Sequence, residues 1–168
     1  MNYIYKYNSP LVPLTVASDG KTIIGLWFEG QKYYADTPGA DFEEKDLPIF
    51  ELARKWLDEY FTGKEPEFSL PISMNSSPFR MKVGEILKEI PYGQTVTYGE
   101  IARIIEKESG KRVSAQAVGG AVGHNPISII VPCHRVIGAH GKLTGYAGGV
   151  DIKLRLLELE SVDTIDLK

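Results

Sequence analysis

The chain has 168 residues, 43% of them hydrophobic and 24% charged, with a net charge of −3, which is the balance of an ordinary globular protein of one domain or two small ones. Its single cysteine excludes an internal disulfide framework, and His124, His134 and His140 stand at no zinc-ligand spacing with it, so neither a metal nor a cofactor is expected. No apolar run reaches membrane-spanning length and the N-terminus lacks the basic and apolar segments of a secretion signal, so a cytoplasmic protein without membrane attachment is expected.

The charge is unevenly spread. Residues 1–78 hold 7 Lys and Arg against 12 Asp and Glu, whereas residues 79–168 hold 12 against 10. Lys111 to Asn125 carries two basic residues and no acid, a modest footprint for phosphates.

The front of the chain reads as β. Asn2–Tyr7, Leu11–Ser18, Thr22–Phe28 and Gln31–Tyr34 are short and rich in β-branched and aromatic residues. Asp19-Gly20 and Glu29-Gly30 supply turns between them, which predicts an antiparallel meander. Tyr3, Tyr5 and Tyr7 alternate as a packed cross-strand face does. After a loop rich in Pro, Gly and Asp, Ile49, Leu52, Ala53, Trp56, Leu57 and Tyr60 recur at helical spacing, with Asp46 as a cap, Pro48 in the first turn and Gly63 beyond the end. One helix covering a small sheet follows from this, and nothing in residues 1–63 suggests chemistry. Residues 64–78 contain Pro66, Pro71 and Pro78 and read as a linker before a second domain, residues 79–168.

That second domain opens with a capping Ser77 and Pro78, followed by Phe79, Val83, Ile86, Leu87 and Ile90 on one face until Pro91 stops the helix. Thr97 and Glu100 fit a capping box for the next helix, which Gly110 ends, and Ser114 caps a third that is unusually small-sided: Ala115, Ala117, Gly119, Gly120, Ala121. Two helices joined by a short Gly-containing turn match a helix-turn-helix, and the residues after it read as a wing. A slim second helix lets the backbone come close to a groove. A plain helical hairpin fits the same pattern.

Ile129-Ile130-Val131 predicts a short buried strand that Pro132 ends, so that Cys133, His134 and Arg135 leave the sheet together. A lone thiol beside an imidazole and a guanidinium is a candidate nucleophile, because nearby positive charge and a base favour the thiolate. Adjacent side chains in an extended segment point opposite ways, so a water bridging Cys133 and His134 is more consistent with the sequence than a direct bond.

Four motifs frame this thiol in order: Pro91-Tyr92-Gly93-Gln94-Thr95-Val96-Thr97-Tyr98, then Ala115-Gln116-Ala117-Val118-Gly119-Gly120-Ala121 with Asn125-Pro126, then Pro132-Cys133-His134-Arg135, then Gly145-Tyr146-Ala147-Gly148-Gly149. Together they resemble the O6-alkylguanine-DNA alkyltransferases, the single-use repair proteins that accept an alkyl group onto cysteine. The resemblance covers about residues 79–161. It implies an α+β fold with a ribonuclease H-like N-terminal domain and a C-terminal winged helix-turn-helix domain. It also implies a monomer acting on double-stranded DNA that contains O6-alkylguanine.

Residue by residue, the resemblance implies a relay from Cys133 through water to His134 and on to Glu160, which from the sequence alone is an ordinary surface acid at the end of a helix Val150–Glu160. It makes Asn125 a brace for the active-site turns and Tyr98 a donor to guanine N3. The carbonyls of Cys133 and Val136 would accept from the exocyclic amine, and Tyr146, Ala147 and Gly148 would form the pocket lid. Ser114, Ala115, Gln116 and Gly119, with Arg135, would face DNA. Family members commonly flip the nucleotide with an arginine in the second helix; here Gln116 takes that place, which removes a charge and a planar cation. The competing readings are a Cys-His acyl hydrolase or transferase, a non-catalytic binder of alkylated bases on the same fold, and a transcription regulator.

Overall fold

The computed structural model describes residues 2–31 and 41–167. Strands β1 (Asn2–Asn8), β2 (Pro13–Ser18) and β3 (Ile23–Phe28) form the expected antiparallel meander. The Asp19 carboxylate accepts from the amides of Lys21 and Thr22 and shapes the β2–β3 turn. The expected fourth strand at residues 31–34 lies almost wholly outside the described residues. Instead β4 (Phe42–Glu44), in the stretch read as a loop, runs parallel to β1, so the sheet is mixed, in the order β3-β2-β1-β4.

Helix α1 (Pro48–Tyr60) covers one face of this sheet. Pro48 is its first residue, but the cap is Leu47 and makes no side-chain bond, so Asp46 is not the cap. The buried stripe is Ile49, Phe50, Ala53, Leu57 and Tyr60, rotated from the expected one: Leu52 is 43% exposed. Tyr5 stacks on Phe50 and the Tyr7 hydroxyl donates to Asp58 at 2.6 Å, so those two tyrosines dock the helix on the sheet.

Strand β3 is an edge of the sheet, and its open groups are paired by two later segments. Ile23 exchanges bonds with Pro71 and Ser73 in the stretch read as a linker, and Leu26 does so with Pro126 and Ser128. The linker is therefore laid along the sheet edge, which removes an exposed template for aggregation and ties the N-terminal part to the turn that precedes Cys133.

In the C-terminal part, α2 (Pro78–Lys88) starts on the Ser77 cap. Both halves of the Thr97–Glu100 capping box form at the start of α3 (Tyr98–Ser109), and Gly110 closes that helix in the left-handed conformation at φ 71°. Ser114 caps α4 (Ala115–Gly123). Helices α3 and α4 form the helix-turn-helix. The wing is minimal: β5 (Val96–Thr97) pairs in parallel with β6 (Val136–Ile137), followed by a tight turn closed between Gly138 and Lys142. The last helix, α5 (Val150–Leu159), ends one residue before Glu160.

Candidate active site

The segment before the thiol is not a strand. Ile129, Ile130 and Val131 form a turn in which Ile129, 1% exposed, adopts φ 69°, a left-handed conformation that a β-branched residue enters only at a cost. Burial of its side chain and the bonding of Asn125 hold it there. Buried Asn125 donates from Nδ2 to the Val131 carbonyl at 2.8 Å and accepts at Oδ1 from the Ile127 amide at 3.1 Å, spanning the turn with one side chain. Pro132 then leads into a single 3-10 turn, Cys133–Arg135.

This turn sends its three side chains to different partners. His134, fully buried, places Nε2 2.5 Å from Glu160 Oε2. Arg135, expected to face DNA, is 9% exposed and turned inward: Nε lies 2.8 Å from Glu160 Oε1, Nη1 bonds the Ile90 carbonyl, and the guanidinium rests over the Tyr92 ring. Turning it toward phosphates would leave Glu160 buried without this counter-charge, so Arg135 is removed from the DNA-facing set.

Glu160 is the opposite of the surface acid that its sequence context suggests. It is 2% exposed and accepts from His134, both Nε and Nη2 of Arg135, the Gly93 amide at 3.0 Å and the Tyr60 hydroxyl at 2.7 Å. Burial opposes its ionisation, but His134 and Arg135 outweigh burial and hold the carboxyl well below its ordinary range. An ionised acceptor at Nε2 fixes the imidazole proton on that nitrogen. Nδ1, buried and without a partner among the described residues, is then the basic nitrogen. Burial keeps the imidazolium disfavoured overall.

Cys133 is 4% exposed. Burial pushes its thiol up, and the Asn125 amide, Tyr146 hydroxyl, Lys153 and Ser128 hydroxyl pull against this without cancelling it. The resting sulfur is therefore a neutral thiol. The expected thiolate-favouring guanidinium is spent on Glu160. Among the described residues no direct hydrogen bond joins Cys133 to His134, and the hydroxyls of Ser128 and Tyr146 face the sulfur without full hydrogen bonds of their own.

A cleft of about 610 Å³ is lined by Tyr98, Arg103, Ala115, Gln116, Gly119, Thr144 and Gly145 among others, and Tyr98, whose phenol feels the charge of Cys133, relates it to the thiol. Gly119 stands against the Tyr98 ring, where an added methyl group would sit 3.9 Å from it. The Tyr98 hydroxyl accepts from Thr144 Oγ1 at 3.1 Å, leaving its own proton to donate. Tyr146 packs edge-on against Phe28 of β3, and Gly148 lies so close to Phe28 that a Cβ would approach its ring to 2.7 Å. The loop read as a lid is thus seated on the N-terminal sheet.

Two family models match this chain. Residues 78–162 match the model of the 6-O-methylguanine DNA methyltransferase DNA binding domain, and residues 2–74 match that of the ribonuclease-like domain of the same enzyme. The chain belongs to the 6-O-methylguanine DNA methyltransferase family. It is 40% identical to the methylated-DNA–protein-cysteine methyltransferase of Haemophilus influenzae, over 98% of this chain and 89% of that protein. With the protein of the same description from Methanosarcina acetivorans it is 43% identical, over 94% and 97%. In three dimensions it resembles the Mycobacterium tuberculosis OGT crystallised in complex with DNA, with a TM-score of 0.82 and 44% identity over 94% of this chain and 92% of that one.

Within this family member the structure gathers Cys133, His134, Glu160 and Asn125 at one buried centre and lines the cleft with Tyr98, Gln116 and Gly119. Ser114 is exposed at the start of α4, and Val136 is buried in the β5–β6 pair with its amide bonded to the Cys133 carbonyl. Ala147 is half-buried in the turn of the lid loop. Three residues at this centre escaped the sequence reading. Tyr60 comes from the half that suggested no chemistry, and Ser128 carries no motif that would single it out. Lys153 is 1% exposed, donates from Nζ to the Thr144 carbonyl at 3.3 Å and lies over the Tyr98 ring. Its only sequence signal is a lysine one turn into a helix whose neighbouring positions 156 and 157 are apolar.

Proposed function

We propose that this chain repairs double-stranded DNA by moving the alkyl group of an O6-alkylguanine onto Cys133, once per molecule. The observation that carries the reading is the His134–Glu160 pair behind a single buried thiol, with Nδ1 of the imidazole left open as a base. When the alkylated base fills the pocket, the thiol proton passes through a water to His134 Nδ1, and Glu160 balances the imidazolium that forms. The sulfur attacks the alkyl carbon in line, the carbon–sulfur bond forms as the carbon–O6 bond breaks, and the electron pair leaves on the purine. Tyr98 donates to guanine N3 as that charge develops. Guanine takes back one proton, so the thiol hydrogen has been exchanged for the alkyl group and no second reactant is used.

The alkyl carbon lies on the major-groove edge of the duplex, out of reach of a recessed sulfur, so the nucleotide must be extruded. In this reading Ser114, Ala115, Gln116 and Gly119 present α4 to the minor groove and Gln116 fills the gap left in the stack, while Tyr146, Ala147, Gly148 and the Val136 carbonyl close on the base. A minor-groove approach suits recognition by shape with little sequence preference. We also propose a division into an N-terminal domain at 1–63, a linker at 64–78 and a DNA-binding, alkyl-accepting domain at 79–168, in a cytoplasmic monomer. Among the described residues no helix is long and apolar enough to cross a membrane.

Because a thioether is not reversed by water or by a second thiol, the protein should be consumed. Titrating it with excess duplex carrying O6-methylguanine should restore one guanine per chain and then stop. Continued turnover would favour the hydrolase reading, and tight binding with no guanine restored would favour a recruiting protein.

A further inference from the structure

Tyr60 belongs to α1 in the N-terminal part, yet its hydroxyl ends inside the centre built by the C-terminal part, 2.7 Å from Glu160 Oε2 and 3.4 Å from His134 Nε2. The ring is fully buried, stacked on Trp56 at 5.6 Å and edge-on to Tyr92 and His134. Packing alone would be served as well by phenylalanine, since a buried hydroxyl costs free energy unless it is bonded. The bond it makes goes to the same carboxylate oxygen that receives the imidazole proton.

We infer that Tyr60 is a positioning residue for alkyl transfer: its hydroxyl, donated to Glu160 Oε2, sets how strongly the carboxylate holds the His134 N–H and thereby how readily His134 Nδ1 takes the thiol proton. The inference rests on the alkyl-transfer reading above. A carboxylate whose charge is shared among several donors is a weak proton acceptor, so the proton stays on Nε2 and Nδ1 remains open. The charged and titratable groups around this pair are Glu160 and Lys153 at the end of and within α5, Arg135 and Cys133 in the turn of His134 itself, Tyr92 in the loop after α2, and Tyr146 in the lid loop. Tyr60 alone among them comes from the N-terminal part. Burial and the Glu160 charge keep its phenol protonated, so it acts as a donor throughout the useful pH range.

Without that hydroxyl Glu160 becomes more basic and the imidazolium is better stabilised. A proton then occupies Nδ1 at higher pH, where it blocks acceptance from the thiol. The test uses Tyr60→Phe and the full-length protein with 3-fluorotyrosine at position 60, a stronger donor of nearly the same shape. His134 is titrated by ¹⁵N NMR, beside the pH profile of methyl transfer from duplex O6-methylguanine. In Tyr60→Phe the imidazole midpoint and the acid limb of the rate should move up together by about half a pH unit or more, and in the fluorinated protein both should move down. Midpoints equal to wild type, or shifts of the opposite sign, would overturn the inference. Should Tyr60→Phe fail to fold, the sign of the shift in the fluorinated protein decides alone. A wild type whose His134 titrates but which moves no methyl would overturn the repair reading, and the NMR shift would still decide the role of Tyr60.

Discussion

His134 Nε2 and Glu160 Oε2 stand 2.5 Å apart with neither side chain exposed to solvent, and the second oxygen of that carboxylate holds Arg135. Replacing Glu160 by Gln removes the charge that His134 and Arg135 share. The transfer rate should fall by about 10²–10⁴-fold, the range of a positioned acid-base group. Stability to urea should fall by about 3–5 kcal/mol, because Arg135 stays buried without its counter-charge. The folded carboxyl is held below its ordinary value of 4.5, so its contribution is complete above that pH and is lost as pH falls toward the folded value. Acid unfolding of Glu160→Gln should accordingly depend less steeply on pH below about 4.5 than that of wild type. A variant of unchanged rate would remove Glu160 from the mechanism.

Lys153 presents the reverse case. Burial lowers its ammonium to about 8 from an ordinary 10.5, so between those values this site binds more protons in the unfolded chain and the contribution of Lys153 to stability should rise with pH, read as the difference between wild type and Lys153→Met. That substitution should also slow transfer, since the thiolate formed during reaction loses its nearby cation. Thermal melts across pH 8–10.5 and single-turnover rates check both halves. A Met variant with wild-type rates would mark the lysine as a structural residue only.

Gly148 is set by contact. A methyl group there would meet the buried Phe28 ring at 2.7 Å, within backbone reach of Tyr146 and Ala147. Gly148→Ala should therefore displace the lid loop, costing about 1–3 kcal/mol of stability and lowering the transfer rate. Phe28→Leu should restore part of both by opening space. If the double variant is no better than the single one, the contact with the sheet does not seat the loop.

Gln116 is exposed at the mouth of the cleft and carries no charge. An arginine there can reach a phosphate and stack as a plane, so Gln116→Arg should speed transfer from duplex DNA and steepen the logarithmic dependence of binding on salt by about one. An unchanged rate and salt slope would mean that Gln116 does not fill the helical gap or that its charge is immaterial.

Much of the fold is legible in the sequence because it is written in local chemistry. The Thr97–Glu100 box, Ser77-Pro78, Ser114 and Gly110 act within a few residues of themselves, and each helix they bound forms where expected. Features that depend on distant partners are not legible in this way. Three apolar residues before Pro132 read as a strand, but the bonds of Asn125 across residues 127–131 close them into a turn, and periodicity contains no trace of that bonding. β4 pairs with a strand more than thirty residues earlier, and its three residues carry no alternation long enough to notice.

The site divides along the same line. The thiol motif and its neighbours stand out because Cys133, His134 and Asn125 are close in the chain. Glu160 and Arg135 look like surface charges until the fold buries them against each other. The hydroxyl of Tyr60 reaches Glu160 across 100 positions of sequence, so only the helical period of its ring, and not its bond, is visible beforehand. The charge of Arg135 was legible, and its direction was not.

The most direct measurement is the intact mass of the full-length protein after incubation with a duplex bearing one O6-methylguanine, followed by peptide mapping. Wild type should gain a single methyl group on Cys133, with one unmodified guanine appearing in the DNA for each protein consumed, and Cys133→Ser should gain none. An unchanged wild-type mass, or a methyl group found on any other residue, would contradict the account.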